Sequence, residues 1–187
     1  EGPFGEYPGY YGEVPGMSPV IKVTAVTHRD DPIFQGSVEG HPVNESHVIG
    51  SMVKSTVIWN ALDHNGVPGI KDVACIPESS GGHMVVSITP TVPAHADWIA
   101  NTVWGTSASV WSFKHLFVVD DDIDPTTTND VLWAMCTRFD PRMDMEQIDG
   151  AWSTSLDPMC YDGDTDKRNS RLVIDACRPW NRMDEFP

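Results

Sequence analysis

The stretch ESHVIGSMVKSTVIWNALDHNGVPGIKDVACIPESSGGHMVVSI, residues 45–88, carries one helix and two strands in succession. Its first part, Glu45 to Asp63, reads as a helix, with Ile49, Met52, Val53, Thr56 and Val57 on one face. Asn65-Gly66 closes that helix and Pro68-Gly69 continues the turn. Two short strand candidates follow, Val73–Ile76 and Met84–Ile88, separated by Glu78-Ser79-Ser80-Gly81-Gly82. Gly81-Gly82 is too short for a phosphate cradle and reads as a turn.

Toward the C-terminus the alternation continues. A helix is expected from Pro93 to about Val110, then a strand at His115–Val119. Thr127-x-x-Asp130 has capping-box form ahead of Val131, Leu132, Met135 and Phe139 at helical spacing. A last strand, Arg171–Ala176, runs into Arg178-Pro179-Trp180. Strands alternating with helices predict an α/β layer built around a largely buried sheet, and no internal repeat is present.

Toward the N-terminus the pattern changes. Val20 to Arg29 is rich in β-branched residues and reads as a strand apolar on both faces, ended by Asp30-Asp31-Pro32. Before it, EGPFGEYPGYYGEVPGMSP (residues 1–19) has too much Gly and Pro for a regular helix or strand. Long irregular loops inside compact domains are usually functional or disordered, and Phe4, Tyr7, Tyr10 and Tyr11 favour function. The boundary between this opening and the α/β body falls near residues 36–44.

Composition limits the partners. With 12 Lys+Arg against 27 Asp+Glu, the 187-residue chain has a formal charge of −15, which repels phosphate backbones and anionic lipid headgroups. Nucleic acid and membrane surfaces are therefore excluded as expected partners. An anionic substrate is repelled too, so an acid-binding site must bring local positive charge. No apolar run approaches the roughly 18 residues of a membrane span, and no signal peptide is apparent. Cys75, Cys136, Cys160 and Cys177 have no zinc or CxxC spacing and read as reduced, mostly buried thiols of a cytoplasmic protein.

Glu1 and Glu6 stand five apart, around Pro3 and two glycines. Their spacing alone fits two solvated glutamates on a turn. It also fits two converging carboxylates, whose repulsion would leave one able to donate a proton near neutral pH. The run Asp120–Asp124 has the composition of a divalent-metal site, but reads better as the end of a buried strand leading into the next helix. The histidines are scattered, and His28 and His47 read better as hydrogen-bonded structural groups than as groups facing a binding site, the other reading open to them.

Taken whole, the opening motif resembles a known signature. Glu1–Glu6 followed by Gly9-Tyr10-Tyr11-Gly12 is similar to the EGPFGE…GYYG pattern of the UbiD family. Thr27-His28-Arg29-Asp30-Asp31-Pro32-Ile33, Glu45-Ser46-His47, Ile49-Gly50-Ser51, Asp120–Asp124 and Val131-Leu132-Trp133-Ala134 with Thr137-Arg138 also resemble family segments, in family order. The resemblance spans essentially the whole chain.

It implies a fold: residues 1–40 supply the last strand and active-site loop of a flavin-binding split-barrel-like domain. Residues 41–187 then form an α/β oligomerisation domain with a central mixed sheet. It also implies an activity, the reversible decarboxylation of an aromatic, heteroaromatic or α,β-unsaturated acid. Prenylated FMN supplies the electron sink and the protein supplies position and a proton. Glu6 matches the proton-transferring glutamate, and Glu1 the one that orients an arginine lying upstream of this chain. The residues that hold the flavin phosphate with Mn²⁺ and K⁺ also lie upstream, so no metal ligand is assigned here.

By the same resemblance, Ile49 sits in a segment that lines the substrate pocket. Trp111, just before the strand ending at Asp120, is placed there at the same level. The expected partners are an N-terminal flavin-binding part or subunit, further copies of the chain, and a small acid. A start at Glu1, inside the motif, is expected of a fragment, a processed chain or a separately observed half. The other class of function open to the chain is a non-catalytic assembly module; retention of both glutamates favours the enzyme.

Overall fold

A computed structural model describes residues 4–12, 17–110, 113–160 and 167–186. In the α/β body the elements run α1 (Glu45–His64), β1 (Ile70–Cys75), β2 (His83–Ile88), α2 (His95–Trp104), α3 (Ser107–Val110), β3 (His115–Asp120), α4 (Thr128–Arg138), β4 (Met145–Trp152) and β5 (Arg168–Ala176). One five-stranded mixed sheet has the order β1-β2-β3-β5-β4. Its centre, β2, β3 and β5, is parallel, and the edge strands β1 and β4 are antiparallel to their neighbours.

The parallel centre is apolar on both faces because helices cover both. Met84, Val86, Ile88, Leu116, Val118 and Val173 point to the side covered by α1 and α2, where Ile58, Leu62, Ile99 and Val103 meet them. Val85, Phe117, Val119, Ile174 and Ala176 point to the other side, beneath Val131 and Ala134 of α4. The alternation along β2 and β3 thus splits one run of apolar residues into two cores.

Helix α1 starts at Asn44, whose side-chain oxygen accepts from the backbone N–H groups of Ser46 and His47. His47 Nδ1 in turn accepts from the Asn44 N–H at 3.1 Å, so the cap is reciprocal. The face of α1 read as apolar is not the buried one. Ile49, Met52 and Val53 are 62%, 66% and 57% exposed, with Val57 also exposed, whereas Ile58 and Leu62 are fully buried. Two fully inserted side chains near its C-terminal end anchor the helix.

Other expectations are corrected. The helix from residue 93 to 110 is two pieces, because α2 ends at Gly105 before the short α3. Thr127 precedes α4 but its side chain makes no cap bond. Asp124 forms the local turn instead, accepting from the Thr126 N–H and hydroxyl at 2.8 and 2.6 Å. All four cysteines are free thiols, yet Cys75 alone is buried, and Cys136 is exposed. Val20 to Arg29 forms no strand: residues 17–39 are exposed and make no β-ladder with a described segment. A β-rich sequence becomes a strand only when a neighbouring edge takes up its N–H and C=O groups.

The acidic run behaves as the end of a strand. Asp120 is fully buried at the end of β3, and its Oδ2 accepts from Arg138 Nη1 at 2.8 Å and from the Arg178 N–H at 2.6 Å. Arg138 also holds Asp122 through its two terminal nitrogens, Nη1 and Nη2. Burial pushes the Asp120 carboxyl up, while Arg178 and Arg138 pull it back; Arg138 holds Asp122 below the usual range. Among the described residues no helix is long and apolar enough to cross a membrane.

Candidate active site

Residues 4–12 form a tight loop despite their Gly and Pro content. The Glu6 N–H donates to the Tyr10 carbonyl, the Gly9 N–H to Glu6, and the Gly12 N–H to Phe4, all within 2.8–2.9 Å. Gly5 and Tyr11 pair across the loop as an antiparallel bridge. Gly12 has a specific task, because a Cβ there would lie 2.9 Å from Glu6 Cγ and 3.4 Å from Oε1. The second glycine of Gly-Tyr-Tyr-Gly therefore makes room for the carboxylate arm of Glu6.

The loop is fastened to the body through one carbonyl. His47 Nε2 donates to the Tyr7 oxygen at 2.7 Å, and the Ser80 hydroxyl donates to the same oxygen at 3.3 Å. Since His47 Nδ1 accepts from the Asn44 N–H, the two bonds define the neutral Nε2–H tautomer. His47 thus has the hydrogen-bonded structural role read from the sequence, and its location makes that role a positioning one.

A cavity of about 550 Å³ opens beside this loop. Glu6 and Tyr7 form one wall, while Ser46, His47, Gly50, Ser51 and Lys54 of α1 form another, closed by Ser80 and Gly81. Along α1, residues 47, 51 and 54 share the face that continues into the buried Ile58 and Leu62. This half-polar stripe was readable as a signal: polar groups extend the core-facing stripe of a helix where it leaves the core and meets a cavity. A second cavity, of about 290 Å³, shares Tyr7 and Ser80 with the first and is lined by His83, His115, Lys114, Asp157 and Arg171.

The second cavity is held by charges that are already matched. Lys114 pairs with Asp157 at 2.7 Å, and the buried Arg171 donates to the carbonyls of Ser109, Phe113 and Trp152. His83 and His115 meet edge to face, with centroids 4.8 Å apart. Burial lowers both imidazoles, and for His115 the neighbouring His83 and Lys114 add to it, bringing it to about 4. Burial, then Asp157 and Glu6, push the Tyr7 phenol up.

Of the sequence-derived site residues, Glu6 lies at a cavity wall. Ile49 adjoins Gly50 of that wall but lies on the exposed face of α1, outside the lining. Glu1 and Trp111 fall outside the described residues. Among the described residues no group of three His, Cys, Asp or Glu side chains is placed to hold a metal ion. A metal-bridged flavin phosphate therefore does not fit the described part of this chain, while the cavity wall carries the carboxyl of Glu6.

Residues 47–176 match the family described as the 3-octaprenyl-4-hydroxybenzoate carboxy-lyase C-terminal domain, and residues 1–42 match the Rift-related domain of the same carboxy-lyase. The chain belongs to the UbiD family. Solved structures agree. The UbiD-class enzyme HmfF from Pelotomaculum thermopropionicum, in complex with FMN, is 32% identical with a TM-score of 0.83 over 100% of this chain. An evolved dimeric form of that enzyme, in complex with prFMN, is 30% identical with a TM-score of 0.74. The vanillic acid decarboxylase of Sedimentibacter hydroxybenzoicus, in open form, is 27% identical with a TM-score of 0.78 over 96% of this chain. This UbiD-family chain spans 40%, 40% and 37% of those three chains.

Proposed function

We propose that this chain is the C-terminal part of a non-oxidative carboxy-lyase that decarboxylates, reversibly, an aromatic, heteroaromatic or α,β-unsaturated acid, with Glu6 as proton donor. The observation that carries this reading is the support given to Glu6: a loop closed on itself, Gly12 shaped around the carboxylate arm, and a cavity directly beside it. The FMN and prFMN complexes of HmfF and the vanillic acid decarboxylase supply the chemistry by analogy.

Prenylated FMN would be held, with Mn²⁺ and K⁺, by an N-terminal flavin-binding part and not by the described residues of this chain, and when bound it would supply the electron sink. This chain's residues do the rest of the work assigned to them here. His47 and Ser80 fix the Tyr7 carbonyl, the loop aims Glu6, and Glu6 delivers a proton to the carbon that has lost CO₂. Glu1 orients the upstream arginine, and residues 1–40 belong with the flavin-binding domain. The enzyme works in the cytoplasm.

The exposed apolar face of α1 favours a second role beside the first, assembly, because Ile49, Met52 and Val53 form a patch suited to cover by the flavin-binding part or another copy. The test of the main reading is Glu6→Gln in the full enzyme. The substitution keeps shape and hydrogen bonding but removes the ionisable proton, so turnover falls about 10²–10⁴-fold while flavin absorbance shows cofactor still bound. Near-normal decarboxylation by this variant overturns the assignment.

A further inference from the structure

The second cavity, of about 290 Å³, adjoins the Glu6 cavity along Tyr7, Ser80 and Thr154, which line both. Its walls are the opposite of what an acid needs. The charged side chains there are matched within the protein: Lys114 pairs with Asp157 at 2.7 Å, and the buried Arg171 is spent on the carbonyls of Ser109, Phe113 and Trp152. His83 and His115 stand opposite one another in the β2–β3 ladder and line the cavity as uncharged imidazoles, since burial lowers both. Neither ring hydrogen-bonds to a described residue, and His115 Nδ1 is buried without a partner. An anion entering here sheds its water and meets no cation free to replace it. A small uncharged molecule enters without that cost.

The reaction proposed for this chain makes one such molecule. CO₂ leaves the carbon to which Glu6 then delivers a proton, so it has to clear that position before the proton arrives, while the organic product stays beside Glu6. In the reverse direction CO₂ has to be at hand next to the same carbon. The molecule has no net charge, but its carbon is electron-poor and its oxygens electron-rich. A neutral imidazole offers an N–H to such an oxygen and a lone pair to such a carbon. We infer that the second cavity is a CO₂ pocket, walled by the His83–His115 pair, that takes up the gas across Tyr7 and excludes bicarbonate and carboxylic acids. The source of the gas rests on the carboxy-lyase reading, but its binding is measured without turnover.

The experiment uses the full enzyme and isotopically labelled carbonate near neutral pH, where CO₂ and bicarbonate give separate carbon NMR lines in one sample. Broadening of each line by the protein reports which species binds. In wild type the CO₂ line broadens and the bicarbonate line does not. His83→Trp fills the cavity and removes the broadening. His83→Phe combined with His115→Phe keeps two rings but no ring nitrogen, and weakens CO₂ binding about 2- to 10-fold, the value of a neutral hydrogen bond. Thermal melting confirms folding, and where His83→Trp does not fold the double Phe variant carries the test. Phenol, standing in for an uncharged organic product, leaves the CO₂ line broad. Equal broadening of the bicarbonate line, broadening of neither line, wild-type binding in either variant, or displacement of CO₂ by phenol overturns the pocket. The two readings fail separately. CO₂ binding by an enzyme that decarboxylates no acid keeps the pocket and removes the lyase. Decarboxylation with an unmoved CO₂ line does the reverse.

Discussion

Replacing Arg138 by Met tests the account of the buried carboxylate at the end of β3. Asp120 is 0% exposed, and Arg138 Nη1 is one of two close donors to its Oδ2. Its Oδ1 has no partner. The Arg178 guanidinium Nε lies within ion-pair distance at 3.3 Å, but without the direction of a hydrogen bond. Removing one member of a buried pair costs about 3–5 kcal/mol. The retained Arg178 contacts put the loss at the lower end, about 3 kcal/mol at pH 8.

The same substitution changes the pH dependence, and its sign is fixed. Burial already raises the Asp120 carboxyl, and Arg138 is one of the groups lowering it, so the variant raises it further. A carboxyl with a raised folded value contributes stability at low pH that is lost as pH rises through that value. The deficit of Arg138→Met relative to wild type is therefore smaller at pH 5 than at pH 8. Urea unfolding at both pH values measures it, with Trp133, 5.0 Å from the Arg138 guanidinium, as a local fluorescent reporter. A loss below about 1 kcal/mol, or the same loss at both pH values, refutes the reasoning.

Three further outcomes follow from other parts of the molecule. Gly12→Ala drives a methyl group against Glu6 Cγ, and turnover of the full enzyme falls about 10- to 100-fold with little change in melting temperature; steady-state kinetics with a melt on the same sample checks it. His115 sits at about 4 against an ordinary 6.5, so between those values the unfolded chain takes a proton that the folded chain refuses. Stability falls as pH drops through that window, by about 3 kcal/mol at most and about 2 kcal/mol after solvent screening of this half-buried ring, and denaturation midpoints of His115→Gln lose much of this slope. Ile49→Ala, on the exposed face of α1 and outside the Glu6 cavity, leaves the melting temperature within a degree or two; it changes relative rates among several acids only where the flavin-binding part closes a pocket over that face, and unchanged rates take Ile49 out of the substrate site.

Much of the body was legible because its elements are buried on both sides. β2, β3 and the second half of β5 are runs of β-branched and apolar residues whose neighbours in sequence also face a core, so even single-chain reading finds them, whereas the polar start of β5, Arg168 to Ser170, was not read. Edge strand β4, Met-Glu-Gln-Ile-Asp-Gly-Ala-Trp, went unread because it is largely exposed and interrupted by Gly150 at φ +68°. Val20–Arg29 failed in the opposite direction, since propensity named a strand that no described edge completes. At the site, Glu6 was visible through its motif. The help it receives was not: His47 stands forty residues from Tyr7, and Ser80 reaches the same carbonyl only once the β1–β2 turn is folded against α1. Local spacing carries no record of such meetings.

One carbonyl has a mechanical consequence. The Tyr7 oxygen, next along the chain from Glu6, receives both His47 and Ser80, so the glutamate's loop is bolted to the start of α1 and to the β1–β2 turn. Residues 17–39, which separate loop from helix in the chain, make no ladder with the described structure. The loop, whose sequence matches the Rift-related domain, is therefore also tied to the α/β body and links the two parts. If the body rocks against a flavin-carrying partner, Glu6 is carried along like a tool on a moving arm. Its distance to the reacting carbon is then set by the angle of that arm and hardly at all by the loop's own freedom.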